Sequence, residues 1–115
     1  MANTFKVVTK AGVTSSDVIY TVASSTTTVV LGIMVGNTTT GQITASVTLS
    51  SDTSNRAGAN DEANQAVELV TNAPIPSGSS LELLAGNKVV MEATDALKLT
   101  ASGATDIAVS IMEIT

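Results

Sequence analysis

Thr-Thr-Val-Val-Leu-Gly-Ile-Met-Val-Gly-Asn, residues Thr27 to Asn37, is the stretch that decides the fold. Apolar residues stand at both odd and even positions, which is typical of a β-strand that is buried on both sides. The alternation predicts one larger apolar side, formed by Val29, Leu31, Ile33 and Val35. It predicts a smaller side on the opposite face, formed by Val30, Gly32, Met34 and Gly36.

Two glycines lie inside this strand. Glycine weakens a strand unless a bulge or a closely approaching neighbour makes use of the missing side chain. We therefore expect either a β-bulge at Gly32 and Gly36 or a neighbouring subunit that packs against them.

The segment that follows, Ile43 to Ser50, alternates strictly between apolar and polar residues. This pattern is typical of an antiparallel strand with one buried face and one exposed face. The apolar set predicted to point inward is Ile43, Ala45, Val47 and Leu49. Because only the short turn 38–42 separates the two segments, we expect them to pair as a hairpin.

Seven further short segments, separated by turn-forming residues, bring the total to about nine predicted strands. They are residues 5–9, 18–22, 66–71, 80–84, 89–92, 96–101 and 107–114. The spacing predicts an all-β fold, a single antiparallel β-sandwich of the jelly-roll-like kind with eight to nine strands, over one domain, 1–115. The strand 107–114 is so apolar that we expect it to be paired centrally in a sheet or against another chain. A short turn at 61–65 is the one helical element expected.

The composition argues against several functions. The sequence has no His and no Cys, so it lacks the commonest general base, any thiol nucleophile and the usual ligands of zinc, copper and iron. Its five basic residues are scattered and its net charge is −5, which argues against binding to nucleic acid or to an anionic membrane. Phe5 and Tyr20 are its only aromatic residues, too few for a stacking platform. We therefore expect no enzymatic activity, no cofactor, no metal and no small-molecule substrate.

The acidic residues and three of the methionines are expected to have structural roles only. The ten acidic residues, Asp95 among them, are expected to be solvated surface charges. Met34, Met91 and Met112 are expected to fill gaps in the core. The sequence shows neither the apolar region of a signal peptide nor an apolar run of membrane-spanning length, so synthesis in a cytoplasm is expected.

Two segments are expected to act as contact arms. One is the N-terminal segment 1–10. The other is the polar segment 51–65, which has no large apolar residue and is predicted to be a long loop. Together with the glycine-containing strand, they give the candidate protein-interface residues: Phe5, Lys6, Gly32, Gly36, Asp52, Arg56, Asp61 and Glu62.

The segment 72–99, which begins Asn-Ala-Pro-Ile-Pro-Ser-Gly-Ser-Ser-Leu and closes with Asp-Ala-Leu-Lys-Leu, resembles a phrase found in a family of small virion proteins. These are β-sandwich structural proteins of tailed bacteriophages, of the marine or cyanophage type. The similarity extends to residues 4–10, 18–23, 29–37 and 109–115. The sequence departs from the family pattern at Thr94, where Gly is frequent, and in the turn after Tyr20, which lacks the usual Pro.

The resemblance implies a virion protein attached to the outside of a capsid, neck or tail. We expect a head decoration, or cement, protein that binds the major capsid protein or another virion protein and forms a homo-oligomer such as a trimer. A neck, tail or baseplate component is the structural alternative. A glycan-binding adhesin-type module is a second alternative, which the scarcity of aromatic residues disfavours.

Overall fold

In a computed structural model of the chain, the segment Thr27–Asn37 is a strand inside a five-stranded antiparallel sheet. The structure describes residues 2–51, 65–84 and 86–115. Its strands are β1 (Asn3–Val13), β2 (Ser16–Thr21), β3 (Thr27–Asn37), β4 (Ile43–Ser50), β5 (Val67–Ile75), β6 (Ser80–Leu83), β7 (Val89–Met91), β8 (Ala96–Ala101) and β9 (Thr105–Ile114). No helix in this described part of the chain is long and apolar enough to cross a membrane.

Two antiparallel sheets pack face to face, which confirms the predicted all-β sandwich. The five-stranded sheet has the order β1-β9-β3-β6. β7 also pairs with this edge of β3: it pairs with the first half of the strand, and β6 pairs with the second half. The four-stranded sheet has the order β2-β8-β4-β5. β9 lies between β1 and β3, so this apolar strand is paired along both of its edges, as expected.

The core lies between the sheets and is almost wholly aliphatic. In β9, Ile107, Val109 and Ile111 point inward, as their alternation predicts, and each is at most 3% exposed. The four-stranded sheet meets them with side chains such as Val47 and Leu99, both fully buried. Burial of apolar surface contributes about 25 cal/mol for each Å² removed from water, so this shared layer is the main force that holds the sheets together.

The predicted hairpin between β3 and β4 is wrong, because the two strands belong to different sheets. The turn 38–42 crosses from one sheet to the other. Asn37, which is 5% exposed, stabilises this crossing: its side-chain amide donates hydrogen bonds to the carbonyl oxygens of Gly41 and Ile75, both at 2.8 Å. β4 pairs instead with β5 and β8, and its predicted inward set is correct.

β3 contains a β-bulge, which changes the predicted division of its two sides. The register against β9 shifts between Val30 and Gly32, so Leu31 is the extra residue. Before the bulge Val30 points inward, and after it Ile33 and Val35 do. Gly32 and Met34 therefore point away from the core. The expectation that Met34 and Met112 fill the core is wrong, since Met112 lies opposite Val29 on the outward side, whereas Met91 is fully buried as expected.

β1 and β5 extend furthest beyond their predicted bounds. β1 continues to Val13, with an irregular register after Lys10 and a positive φ of 68° at Gly12. β5 continues to Ile75 and includes Pro74. A proline is tolerated there because β5 is at the edge of its sheet, where a missing N–H leaves no partner unpaired. The helical turn expected at 61–65 lies outside the described residues except for Gln65.

Candidate protein-interaction surface

The outward side of the five-stranded sheet is unusually apolar. Residues directly opposite each other on paired strands point to the same side of a sheet, so the register arranges the outward residues in rows. The first row contains Phe5, Met112, Val29 and Val90. The second contains Val7, Ser110 and Gly32, and the third contains Thr9, Ala108, Met34 and Glu82. The fourth contains Asp106, Gly36 and Ser80. We call these four rows the apolar face.

Large side chains on this face are left in solvent. Phe5 is 72% exposed, Val7 64%, Val90 62% and Met34 46%. Isolated exposed hydrophobic residues are normal on protein surfaces, but a contiguous group of them marks an interaction site. These four lie within three neighbouring rows of one sheet, and they therefore form a patch.

Part of the apolar face is lower than the rest, because Gly32 and Gly36 have no side chain there. A Cβ atom built on Gly32 would meet nothing within 4 Å, and one on Gly36 would meet only the Asp106 carbonyl oxygen at 3.9 Å. Neither glycine is among those with a positive φ. In contrast, a Cβ on Gly103 would lie 2.8 Å from the Cγ2 of Ile43, so the packing of the chain itself requires that glycine. The fold makes no such demand at Gly32 or Gly36.

The missing side chains leave two open depressions beside Met34. One, of about 320 Å³, lies over Gly32, Ser110 and Ala108, with Leu83 and Glu82 at its margin. The other, of about 430 Å³, lies over Gly36, Ala108 and Asp106. The apolar face thus consists of a raised first row and a lower region that Met34 divides. This relief suits protruding side chains of another protein.

The structure places three of the predicted interface residues on the apolar face: Phe5, Gly32 and Gly36. Lys6 is on the opposite side of β1, opposite Ile111. Asp52, Arg56, Asp61 and Glu62 lie outside the described residues. Most of the predicted N-terminal arm is the strand β1, which pairs with β9 along its length. Another protein could contact the outward side of β1 or its free edge, because β1 is an edge strand of the sheet.

Sequence reasoning missed Val7, Val90 and Met112. Alternation in the segment 5–10 holds the relevant signal, because the apolar Phe5 and Val7 share one side while Lys6 and Lys10 share the other. That pattern is not sufficient by itself, because Val8 lies on the same side as the lysines and alternation does not say which side is buried. In the structure Val8 packs against the core, and the lysines lie on its side of β1 at the sheet edge.

The two lysines of β1 form ion pairs at the open side of the sandwich. Lys6 Nζ lies 2.8 Å from Glu113 Oε1, and Lys10 pairs with Asp17 of β2. Glu113 also accepts a hydrogen bond of 2.6 Å from the Tyr20 hydroxyl, which in turn lies 2.7 Å from the Thr28 hydroxyl. Tyr20 belongs to the four-stranded sheet, so this polar cluster joins the two sheets.

The cluster shifts the ionisation of two of its members. The hydrogen bond from Lys6, followed by that from Tyr20, lowers the pKa of Glu113 below its ordinary value, because both stabilise the carboxylate. Burial is the main cause that raises the pKa of Tyr20, and its hydrogen bond to Glu113 adds to the effect. At neutral pH the cluster therefore contains a carboxylate and a neutral phenol.

Asp95 is not a solvated charge, contrary to expectation. It is 3% exposed, and its Oδ2 accepts a 3.0 Å hydrogen bond from the backbone N–H of Glu92. Its backbone carbonyl accepts another from Val22, so Asp95 shapes the turn before β8. Among the described residues, no group of three or more His, Cys, Asp or Glu side chains is arranged to hold a metal ion.

Comparisons with known proteins give likenesses of fold. The sequence matches no protein-family model and no curated protein. The structure is similar to a chain from the disulfide-linked pili of Bacillus endospore appendages, with a TM-score of 0.50 and 14% identity over 99% of this chain and 87% of that chain. It is also similar to a chain of the T13 IBDV viral particle, with a TM-score of 0.55 and 11% identity over 96% of this chain. Our chain spans 30% of that viral chain.

At these identities the likeness concerns the sandwich fold alone. The disulfide links of the pili have no counterpart here, because the sequence contains no cysteine.

Proposed function

We propose that this chain is a structural protein of a tailed-bacteriophage virion, a decoration protein that binds the outside of the assembled capsid and stabilises it. The observation that carries the proposal is the apolar face, which leaves Phe5, Val7 and Val90 exposed on one side of a folded sandwich. A surface of this kind marks lasting contact with other protein surfaces. The sequence phrase at 72–99 supports the placement in a virion.

The proposed mechanism is mass action. A protein that binds the assembled capsid lattice but not the separate capsid subunits shifts the equilibrium toward the lattice. The stabilisation grows with the number of bound copies, so even a modest affinity for each copy strengthens a shell that has many equivalent sites. This role requires surfaces for contact and no catalytic group.

Copy number is the test. Particles of the phage that encodes the protein are purified on a gradient, and the copies per particle are measured by quantitative mass spectrometry. We expect hundreds of copies, since a decoration protein occupies every equivalent site of a shell. A dozen or fewer copies would assign the protein to the neck, tail or baseplate, and its absence from purified particles would overturn the virion proposal altogether.

A further inference from the structure

We propose that the apolar face binds the apolar face of a second copy of this chain, in a two-fold pair whose strands run antiparallel across the interface. The inference rests on the proposed function in one respect: it concerns the same surface, the apolar face, and names a partner for it. It follows from the size of the face, its relief, its charges and the state of the sheet edges.

The size of the face suits a dimer. Four strands about 4.8 Å apart and four rows about 6.8 Å apart give a surface on the order of 500 Å². Two such faces together cover about 1,000 Å², which is about the size that a biological interface needs to reach. The segment 52–64 is a poor alternative cover, because its sequence has no apolar residue larger than alanine.

The relief of the face is self-complementary. The raised first row, with Phe5 and Val90, is at one end, and the lower region at Gly32 and Gly36 begins beside it. A two-fold axis in the plane of the face and perpendicular to the strands reverses the order of the rows in the second copy. The raised row of each copy then lies over the lower region of the other, and each contact occurs twice.

The charges favour the same arrangement. Glu82 and Asp106 are both in the last two rows, at the end away from Phe5. In the antiparallel pair these carboxylates lie at opposite ends of the interface. A two-fold axis parallel to the strands would instead bring the acidic ends of the two copies together, and their repulsion disfavours that pair.

Two of the four sheet edges, β1 and β5, carry features that disfavour pairing edge to edge. β1 is an edge strand, and its inward-pointing Lys6 and Lys10 and the irregularity after Lys10 are features that block the addition of another strand. On the opposite sheet, the edge strand β5 contains Pro74. The apolar face has no comparable protection, so it is the surface through which two copies associate.

Two matched variants test the pair. Gly32→Glu adds a carboxylate in open space on the apolar face, and Thr100→Glu adds one on the exposed side of the four-stranded sheet. Sedimentation velocity of the full chain from about 1 to 100 μM should give a dimer with a dissociation constant on the order of micromolar. Gly32→Glu should weaken association at least about thirty-fold, as expected for a change at an interface centre, whereas Thr100→Glu should leave it within about two-fold. Circular dichroism and thermal unfolding confirm that both variants are folded.

A single introduced cysteine reports the geometry, because the natural sequence has none. Ser110→Cys lies near the middle of the apolar face, and a bismaleimide with a reach of about 10 Å spans the gap between two packed sheets. This reagent should crosslink Ser110→Cys into a dimer, whereas Thr100→Cys should remain monomeric under the same conditions. A monomer at every concentration, a trimer, or equal crosslinking of the two cysteines would overturn the inference.

The two proposals fail separately. Wild-type protein that stays monomeric in solution yet binds capsids, and loses that binding in Gly32→Glu, would assign the apolar face to the capsid and overturn the pairing. Protein that dimerises through the apolar face but is missing from purified particles would sustain the pairing and contradict the proposed function.

Discussion

The two outward sides of this sandwich differ in chemistry although their inward sides are alike. Both sheets supply Val, Ile and Leu to one shared core. The outward positions of β4 and β8 in the four-stranded sheet are small, polar or charged, as at Thr44, Thr48, Lys98 and Thr100. The outward positions of the five-stranded sheet carry Phe5, Val7, Met34 and Val90 instead.

The difference teaches that the fold does not require the apolar face. An antiparallel sheet with one solvated side is stable when that side is polar, as the four-stranded sheet demonstrates. Exposed Phe and Val side chains add little to the stability of an isolated domain, because they are not removed from water. The four-stranded sheet also exposes Val18 at 46% and Val67 at 49%, but these lie on its two edge strands and do not form neighbouring rows. The clustering of exposed apolar side chains on the five-stranded sheet is therefore explained by association.

The comparison is tested most strongly by two neighbouring residues of β3 that point to opposite sides. Ile33 is 2% exposed, so Ile33→Ala should lower the free energy of unfolding by about 3 kcal/mol through lost burial and a cavity. Met34 is 46% exposed, so Met34→Ala should lower it by less than about 1 kcal/mol. Chemical denaturation at a concentration below dimerisation measures both. Equal losses would show that Met34 is buried and would remove it from the apolar face.

A second prediction concerns the cluster that joins the two sheets. Replacing the carboxylate in Glu113→Gln removes charge-assisted hydrogen bonds and should lower the free energy of unfolding by about 1.5 kcal/mol at pH 7. The pKa of Glu113 is lowered in the folded state, so its contribution is complete above its ordinary value of about 4.5 and is lost as the pH falls through the folded value.

The difference in stability between wild type and Glu113→Gln should therefore shrink as the pH falls below about 4.5. Denaturation curves at several pH values measure it, and a difference that stays constant down to pH 2 would contradict the assignment. Dimerisation at pH 7 should be unchanged, because Glu113 lies on the inner side of the sheet.

A third prediction contrasts two glycines. Gly103→Ala should lower the free energy of unfolding by about 1 kcal/mol, because its Cβ would lie 2.8 Å from Ile43 Cγ2. Gly32→Ala should raise it by about 0.5 kcal/mol, since the Cβ meets nothing and the unfolded chain loses freedom. Thermal unfolding of the two variants in parallel gives the sign. A loss at Gly32 would mean that the fold itself requires this glycine.

The smallest effect on stability is expected from variants that make the outward sides of the two sheets more alike in polarity. The double variant Val7→Thr with Val90→Thr should change the free energy of unfolding by less than about 0.5 kcal/mol, because both side chains are exposed. It should nevertheless reduce the binding of an apolar dye and the fraction of dimer. The reciprocal variant Thr44→Val with Thr48→Val should increase dye binding. Unchanged dye binding in both variants would argue against any functional difference between the sides.

Strand positions were predictable from the sequence, but strand neighbours were not. The bounds of β3, β4 and β8 agree with the predicted segments to the residue, because turn-forming residues flank them and their apolar periodicity is strong. Alternation reports which side of a strand is buried and says nothing about its partner. The short turn 38–42 therefore suggested a hairpin, whereas the chain crosses to the other sheet there.

The candidate site was predictable only in part, for two physical reasons. The bulge at Leu31 reverses the alternation of β3, and one extra residue moves every later side chain to the other side. In β1, Phe5 and Val7 lie on one side and Lys6, Val8 and Lys10 on the other, so both sides contain apolar residues and alternation does not decide which is buried. The lysines point inward because Glu113 and Asp17 lie within reach of them, and these pairings depend on residues distant in the sequence.

The position of β9 in its sheet has a consequence for synthesis. Of the nine described strands it is the last that the ribosome makes, yet it lies between β1 and β3 and supplies hydrogen-bond partners to both. At about 5 to 20 residues per second, β1 waits on the order of ten seconds for that partner. During this interval the apolar edges of the early strands are open to other nascent chains, so we expect slower translation and crowded polysomes to lower the yield of folded protein.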